Sequence, residues 1–295
     1  MKLKIVLFFI VTLVCTIVST AQLSDIARID YTYIPAGKSD KEYTRLRALF
    51  NYPIKLKEDA YLFLGLDYSK IDLNFNKETP GFDQTQLQEF KLLDFNISYT
   101  FKLNKDWRFG ARITPGFSSN LSARAIRLDD AVFSTDIVFI KDKKEDATIK
   151  KPYRLILGVS YAQNRGIPFP IPFISYYRKF HSHWSYNIGV PRANLQYHIS
   201  EKSRLKWFAQ LDGFTSNIQE DLLVNGQDEA NRFRLSVIVS GLQYEYKFSD
   251  HIEFFANSAY IFNNRVQLRD RDQNTISQLD NQNKVYVRSG IRFKI

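Results

Sequence analysis

The sequence predicts an all-β fold, a transmembrane antiparallel β-barrel of about 12 strands (range 10–14), on three observations. Apolar and polar residues alternate with a period of two through most of residues 22–295, and no segment there carries an i, i+3, i+4 apolar stripe. The alternating segments are about 10 to 16 residues long, enough for a tilted strand to cross a bilayer, whereas strands of soluble proteins run to about 5 or 6. Connections alternate between short and long. Lys57-Glu58-Asp59, Asn104-Lys105-Asp106, His181-Ser182-His183 and Ser249-Asp250-His251 are tight; 74–87, 119–131, 217–230 and 267–283 are long and polar. Short periplasmic turns and longer outer loops distinguish a membrane barrel from a soluble sandwich.

Composition sets the bounds. The chain has 295 residues, a net charge of +10, 44% hydrophobic and 24% charged residues, averages that fit a basic soluble protein. The aromatic content does not: 24 Phe, 17 Tyr and 3 Trp accompany only 12 Gly. A single cysteine excludes an intramolecular disulfide framework and a multi-cysteine metal site. One long apolar run excludes a bundle of membrane helices. That run starts the chain: Lys2 and Lys4 precede an apolar stretch from Ile5 to Val18, and Ser19-Thr20-Ala21 places small residues before Gln22. This is the anatomy of a cleaved secretory signal, so residues 1–21 are expected to be a leader and 22–295 one barrel domain. Val14 before Cys15 does not fit a lipoprotein pattern.

In chain order the candidate strands are 26–34, 43–56, 60–75, 88–103, 106–118, 132–141, 153–164, 171–180, 184–190, 194–200, 204–216, 231–248, 252–266 and 284–295. In the second, Leu46, Ala48, Phe50, Tyr52, Ile54 and Leu56 oppose Arg45, Arg47, Asn51 and Lys55. In the fourth, Leu93, Phe95, Ile97, Tyr99 and Phe101 oppose Asp94, Asn96, Ser98 and Thr100; Trp107, Phe109, Ala111 and Ile113 then oppose Arg108 and Arg112. Residues 184–200 contribute two short pieces around Pro191, and setting both aside gives the preferred count of twelve with even parity. From Phe233 to Val239 the odd positions are apolar, from Leu242 to Phe248 the even ones, which predicts a bulge at Ser240-Gly241. The last strand, ending Phe293-Lys294-Ile295, pairs with the first to close the ring. Aromatics near strand ends, such as Tyr31, Tyr33, Tyr244, Tyr246 and Phe248, suit interfacial girdles.

The alternation assigns a lumen-facing charge network: Arg45, Arg47, Asp94, Arg108, Arg112, Arg232, Arg234, Arg288 and Arg292, with Arg154, Asp30, Asp67, Asp136, Glu245 and Glu253 as further members. Arginine suits such a place, because its planar fork pairs with carboxylates bidentately and keeps its charge. The network reads either as a salt-bridged plug or as an anion-selective path, and a barrel of about twelve strands favours a plug or narrow channel over a wide pore. Gly166-Ile167-Pro168-Phe169-Pro170-Ile171-Pro172 cannot pair normally on both sides, so it reads as a stiff loop or as a lateral gap in the wall.

Motifs for chemistry are lacking. His181, His183, His198 and His251 lie in or near predicted turns; no nucleophile elbow, His-Glu-x-x-His helix or phosphate loop occurs, and no cofactor or metal is expected. The bases are spread along alternating faces rather than gathered in one stripe, which argues against nucleic acid.

Gly158-Val159-Ser160-Tyr161, Gly166 with Pro168 and Pro172, Trp184, Gly189-Val190-Pro191 and Leu195-Gln196-Tyr197 together resemble an uncharacterised family of outer-membrane β-barrels, a domain of unknown function of Bacteroidota-type bacteria. The resemblance spans most of residues 22–295 and implies a barrel in the Gram-negative outer membrane, with no assigned substrate or catalytic residue. The chain ends on Ile295 with Phe293 as its nearest aromatic, a departure from the commonest C-terminal pattern of such barrels. The expected role is a narrow, porin-like pore or an envelope-structural barrel. Its alternatives are a lipid-modifying enzyme and a surface-interaction, adhesin-like barrel. The expected partners are outer-membrane lipid and lipopolysaccharide, the barrel-assembly machinery, and a small-molecule or ion solute.

Overall fold

The computed structural model describes residues 25–37, 41–76, 81–144, 151–166 and 169–294; the expected leader 1–21, Ile167-Pro168 and Ile295 lie outside the described residues. In chain order its strands are β1 (Ala27–Ile34), β2 (Lys41–Lys57), β3 (Ala60–Phe75), β4 (Glu89–Lys102), β5 (Trp107–Ser119), β6 (Ala131–Lys143), β7 (Tyr153–Ala162) and β8 (Ile171–Lys179), then β9 (Trp184–Val190), β10 (Arg192–His198), β11 (Ser203–Val224), β12 (Asp228–Lys247), β13 (Ile252–Arg269), β14 (Thr275–Asp280) and β15 (Val285–Phe293). Each of β1 to β13 pairs antiparallel with the next, β13 pairs with β15, and β15 closes on β1 from Ala27↔Phe293 to Tyr33↔Val287. The ring therefore has fourteen strands, with β14 folded back on the outer end of β13.

The preferred count of twelve is corrected here. Both short pieces around Pro191 are wall strands: β9 pairs with β8 from Ile174↔Val190 to Lys179↔Ser185, and β10 pairs with β11 from Arg192↔Gln210 to His198↔Arg204. Residues 217–230 are not a polar loop either, since β11 and β12 run on to a tight turn at 225–227. Long loops and the tall β11–β12 hairpin gather at one end of the barrel; the tight turns at 58–59, 103–106, 180–183, 199–202 and 248–251 and both ends of the described chain gather at the other.

The outward face carries Leu46, Phe50, Leu64, Phe95, Ile113, Ile137, Val159, Trp207, Leu242 and Ile291, all exposed. A soluble protein would seldom show so large a continuous apolar surface, whereas acyl chains solvate it. Toward the short-turn end, aromatic rings run in a belt from Tyr99 and Phe101 through Phe109 to Phe139 at centroid spacings of 5.5, 5.3 and 5.5 Å. No helix among the described residues is long and apolar enough to cross a membrane; the spans are strands.

Inside, the content changes with height. Phe90, Leu92, Phe214, Phe233, Leu235, Val237 and Ile71 pack as a buried apolar core in the loop-side half. Below it many inward positions are polar and charged, as in Asp30, Asp67, Asp94, Gln243, Glu245 and Glu253, all buried, with Phe63, Ile140, Ile156 and Phe255 as buried apolar side chains among them. This gradient corrects the expected bulge at Ser240-Gly241. Along β12 the inward residues are odd throughout, from Phe233 to Glu245, and Ala209↔Ser240 and Phe208↔Gly241 pair without interruption. The apolar residues change sides because the lumen turns from oily to polar. The bulge lies across the ladder on β13, where Ile238↔Asn263 is followed by Val239↔Ile261.

Candidate functional site: a charged lumen beneath an apolar plug

At mid-height, neighbouring strands bring guanidinium groups and carboxylates together. Arg47 on β2 donates from Nε to Asp67 on β3 at 2.8 Å, with a second, shorter contact through its Nη2. Arg45 donates to the Ser69 hydroxyl at 3.1 and 2.9 Å. Asp30 on β1 lies between Arg288 of β15 at 2.8 Å and Arg28 at 2.9 Å. Asp212 on β11 reaches across to Arg45 at 3.9 Å and Arg288 at 4.0 Å and accepts the Tyr286 hydroxyl at 2.8 Å. Asp94 accepts the Asn164 amide at 2.8 and 2.9 Å, and Asp136 accepts Arg112 at 2.7 Å and the Ser160 hydroxyl at 2.5 Å. A cavity of about 220 Å³ among these groups is lined by Arg47, Asp67, Asp94, Arg165 and Asp212, and on its wall side by Phe169, Pro191 and Leu211.

A second cluster lies toward the short-turn end. Glu245 on β12 is a hub for Lys206 at 2.7 Å, Arg204 at 2.8 Å and Arg292 at 2.5 Å, while Glu253 on β13 accepts Arg292 at 2.7 Å and Lys294 at 3.1 Å. Four cations, Arg204, Lys206, Arg292 and Lys294, around the two buried carboxylates leave an excess of positive charge. Beyond the strand end, burial pushes the Lys294 ammonium below its ordinary range, the Arg292 charge adds to that, and Glu253 opposes it. The vestibule here, about 460 Å³, is lined by Lys144, Arg154, Arg204, Lys206, Lys247 and Lys294 against Asp25, Asp250 and Glu253. Between vestibule and upper cavity lies a third space of about 290 Å³, bordered by Arg112, Asp136, Ile156 and Phe173.

The expected site residues separate into three groups. Arg45, Arg47, Asp94, Arg112 and Arg288 meet at mid-height and Arg292 in the lower cluster. Arg108 also points inward but sits at the rim, where it donates to the Asp59 carbonyl in the β2–β3 turn at 2.9 Å. Arg232 and Arg234 do not face the lumen: they alternate with the buried Phe233 and Leu235 and point outward, Arg234 donating to Gln273 of the β13–β14 loop at 2.8 Å. Alternation groups residues by face; here the apolar face is the inner one. Arg28, Asp212, Arg204, Lys206 and Arg165 escaped the sequence reading. Arg204 and Lys206 alternate with Leu205 and Trp207 much as Arg45 and Arg47 do with Leu46, a signal that could have found them.

A Ser/His pair exists on neighbouring strands: Ser185 Oγ on β9 lies 3.0 Å from His198 Nε2 on β10. Ser185 is fully buried, and the side chain beside the imidazole is the Gln196 amide at 3.0 Å rather than a carboxylate. The hydroxyl has neither an orienting acid behind its histidine nor access to a substrate, so the pair works as a hydrogen bond within the wall. Among the described residues no group of three His, Cys, Asp or Glu side chains could hold a metal ion.

The family model described as Domain of unknown function (DUF6268) matches residues 20–294. The chain belongs to the DUF6268 family. Compared with curated proteins, the DUF6268 chain matches none. Among solved structures it is similar to the KdgM porin in complex with disordered oligogalacturonate, at 8% identity and a TM-score of 0.38 over 91% of this chain and 99% of that one. It is likewise similar to the NanC porin, at 12% identity and 0.40 over 91% and 100%, and to LpxR from Salmonella typhimurium, at 10% identity and 0.42 over 91% and 100%. At this level the likeness is one of barrel form and carries nothing about substrate.

Proposed function

We propose that this DUF6268 barrel is exported by the leader 1–21, cut after Ala21, and inserted by the barrel-assembly machinery into the outer membrane of a Gram-negative, Bacteroidota-type envelope. There it works as a narrow, normally closed conduit for small anionic solutes. The observation that carries this reading is the stack of spaces inside the wall. The basic vestibule opens at the short-turn, periplasmic end and is bordered by Ser175 of β8; Phe173 on the same strand borders the middle space, and Asp136 of that space is hydrogen-bonded to Ser160 on the border of the upper cavity. The buried aromatic core then closes the way to the outer end. Fixed guanidinium groups along the stack favour anions, and the carboxylates between them keep the resting lumen closed. A general diffusion pore would lack the aromatic core.

The same ion pairs favour a second reading, a permanently closed envelope-structural barrel. Proteoliposomes separate the two. With Phe90→Ala/Phe233→Ala in the membrane, a trapped small anion should escape faster than a cation of equal size. Equal leakage of both, or none above empty vesicles, overturns the conduit.

A further inference from the structure

Displaced from the lumen, Arg232 and Arg234 form part of a different feature. On the outward face of β12 and β13, Arg232 stands opposite Arg269, Arg234 opposite Gln267 and Ser236 opposite Arg265. The facet begins where the lipid-facing surface ends: Tyr260 and Phe262 are exposed, Phe262 by 60%, and Arg265 follows on the same side of β13 past the bulge. Like charges directly opposite on a ladder repel, and among the described residues none of these four arginines has an ion pair. Neutral acceptors position two of them. Arg234 donates to Gln273 at 2.8 Å, and Arg269 donates to the Gln273 carbonyl at 2.6 Å and to Gln267 at 3.1 Å. The adjoining Asp270 carboxylate is held by Asn274 at 2.8 and 2.9 Å. Arg234 is only 7% exposed, and its Nε is buried without an acceptor.

The corresponding outward rim on β3 and β4 is built differently. There Lys70 pairs with Asp72 at 3.0 Å and Glu89 at 2.9 Å, and Lys91 pairs with Glu89 at 2.8 Å, so that rim supplies its own counter-charges. On the β12–β13 rim the adjoining Asp270, held by Asn274, offsets part of the Arg269 charge, and Arg232, Arg234 and Arg265 leave their counter-charge to come from outside the chain. An anion meeting it there would have its charged oxygens at arginine height and its apolar part against Tyr260 and Phe262.

We propose that this facet binds the phosphate groups of an outer-leaflet glycolipid, with the acyl chains lying on the apolar surface beneath. Bidentate guanidinium–phosphate bonds supply the recognition. The proposal rests on the outer-membrane reading above, with the loop end outermost, and is independent of whether the lumen conducts.

The test is native mass spectrometry of the folded full chain in detergent, offered bisphosphorylated lipid A, dephosphorylated lipid A or inorganic phosphate. The phosphorylated lipid should bind at least about tenfold more tightly than the dephosphorylated one, and Arg265→Gln/Arg269→Gln should remove about that factor, the order of one charged hydrogen bond. Lys70→Gln/Lys91→Gln should leave binding unchanged. Equal binding of the two lipids, an unchanged preference in the double variant, or displacement of the lipid by millimolar inorganic phosphate overturns it. Arg232→Gln alone provides a milder variant should the double one fold poorly. Migration with and without heating reports separately on the barrel, so failure of the membrane reading is distinguishable from failure to bind lipid.

Discussion

The rings of Phe90 on β4 and Phe233 on β12 lie 5.0 Å apart, although the two strands stand on opposite sides of the fourteen-stranded ring. Phe214 of β11 joins them at 5.7 and 5.4 Å, and Tyr43 of β2 meets Phe214 at 6.2 Å. Side chains from opposite walls touch only where nothing wider than a ring remains between them. The lumen is therefore shut at this height. Gly213 helps to bring β11 inward: its φ of +146° and its close approach to the Leu235 carbonyl leave no room for a side chain.

Glu245 is the one carboxylate shared by Lys206, Arg204 and Arg292, and it is fully buried. Glu245→Gln removes that shared counter-charge, and should lower stability by about 3 kcal/mol. Urea unfolding in lipid vesicles, followed by tryptophan fluorescence, measures it. Adding Lys206→Met should recover part of the loss by removing one surplus cation. A neutral Glu245→Gln would mean that the cluster is hydrated enough to do without its hub.

Ile188 on β9 is 63% exposed on the outward face. If β9 and β10 are membrane wall, Ile188→Arg places a cation among acyl chains at a cost of about 2 kcal/mol or more. The same vesicle unfolding experiment should show that cost, while Asn187→Arg, facing the lumen, should be milder. Equal and small effects at both positions would return 184–200 to the lumen and the ring to twelve strands.

Asp106, in the β4–β5 turn, is held below the ordinary carboxylate range, first by a hydrogen bond from Lys143 and then by the charges of Lys141 and Lys143. A carboxyl with a lowered folded-state pKa stabilises above its unfolded value, near pH 4, and that contribution fades as acid protonates the folded form. Asp106→Asn should therefore lower the unfolding midpoint at pH 7 and leave it matched to the unsubstituted protein near pH 2. An equal difference at both pH values would assign the effect to turn geometry instead.

The wall was legible in the sequence because a strand solvated by lipid on one side and water or ions on the other alternates strictly, as Leu93 to Thr100 do. The upper lumen was not, because its inner side is also apolar. Between Phe233 and Val239 the oily residues point inward, and alternation alone assigns Arg232 and Arg234 to the wrong side. Short wall strands were undervalued for a related reason: β9 and β10 are seven residues each, short of a full crossing, yet their neighbours β8 and β11 satisfy their ladders. The mid-height pairs between adjacent strands, Arg47 with Asp67 and Arg112 with Asp136, follow from inward alternation once the register is known. Asp212 bridging to Arg45 and Arg288 does not, since it depends on the curvature of β11.

Planar-bilayer recording reads from the current itself whether the aromatic core of Phe90 and Phe233 shuts a positively biased lumen. The unsubstituted chain and Phe90→Ala/Phe233→Ala would each be shown to be folded by their shift on heating, then recorded in a salt gradient. The former should be silent, and the latter should give discrete channel events whose reversal potential favours chloride over potassium. Steady open channels from the unsubstituted chain, or a folded double variant that stays silent, would contradict it.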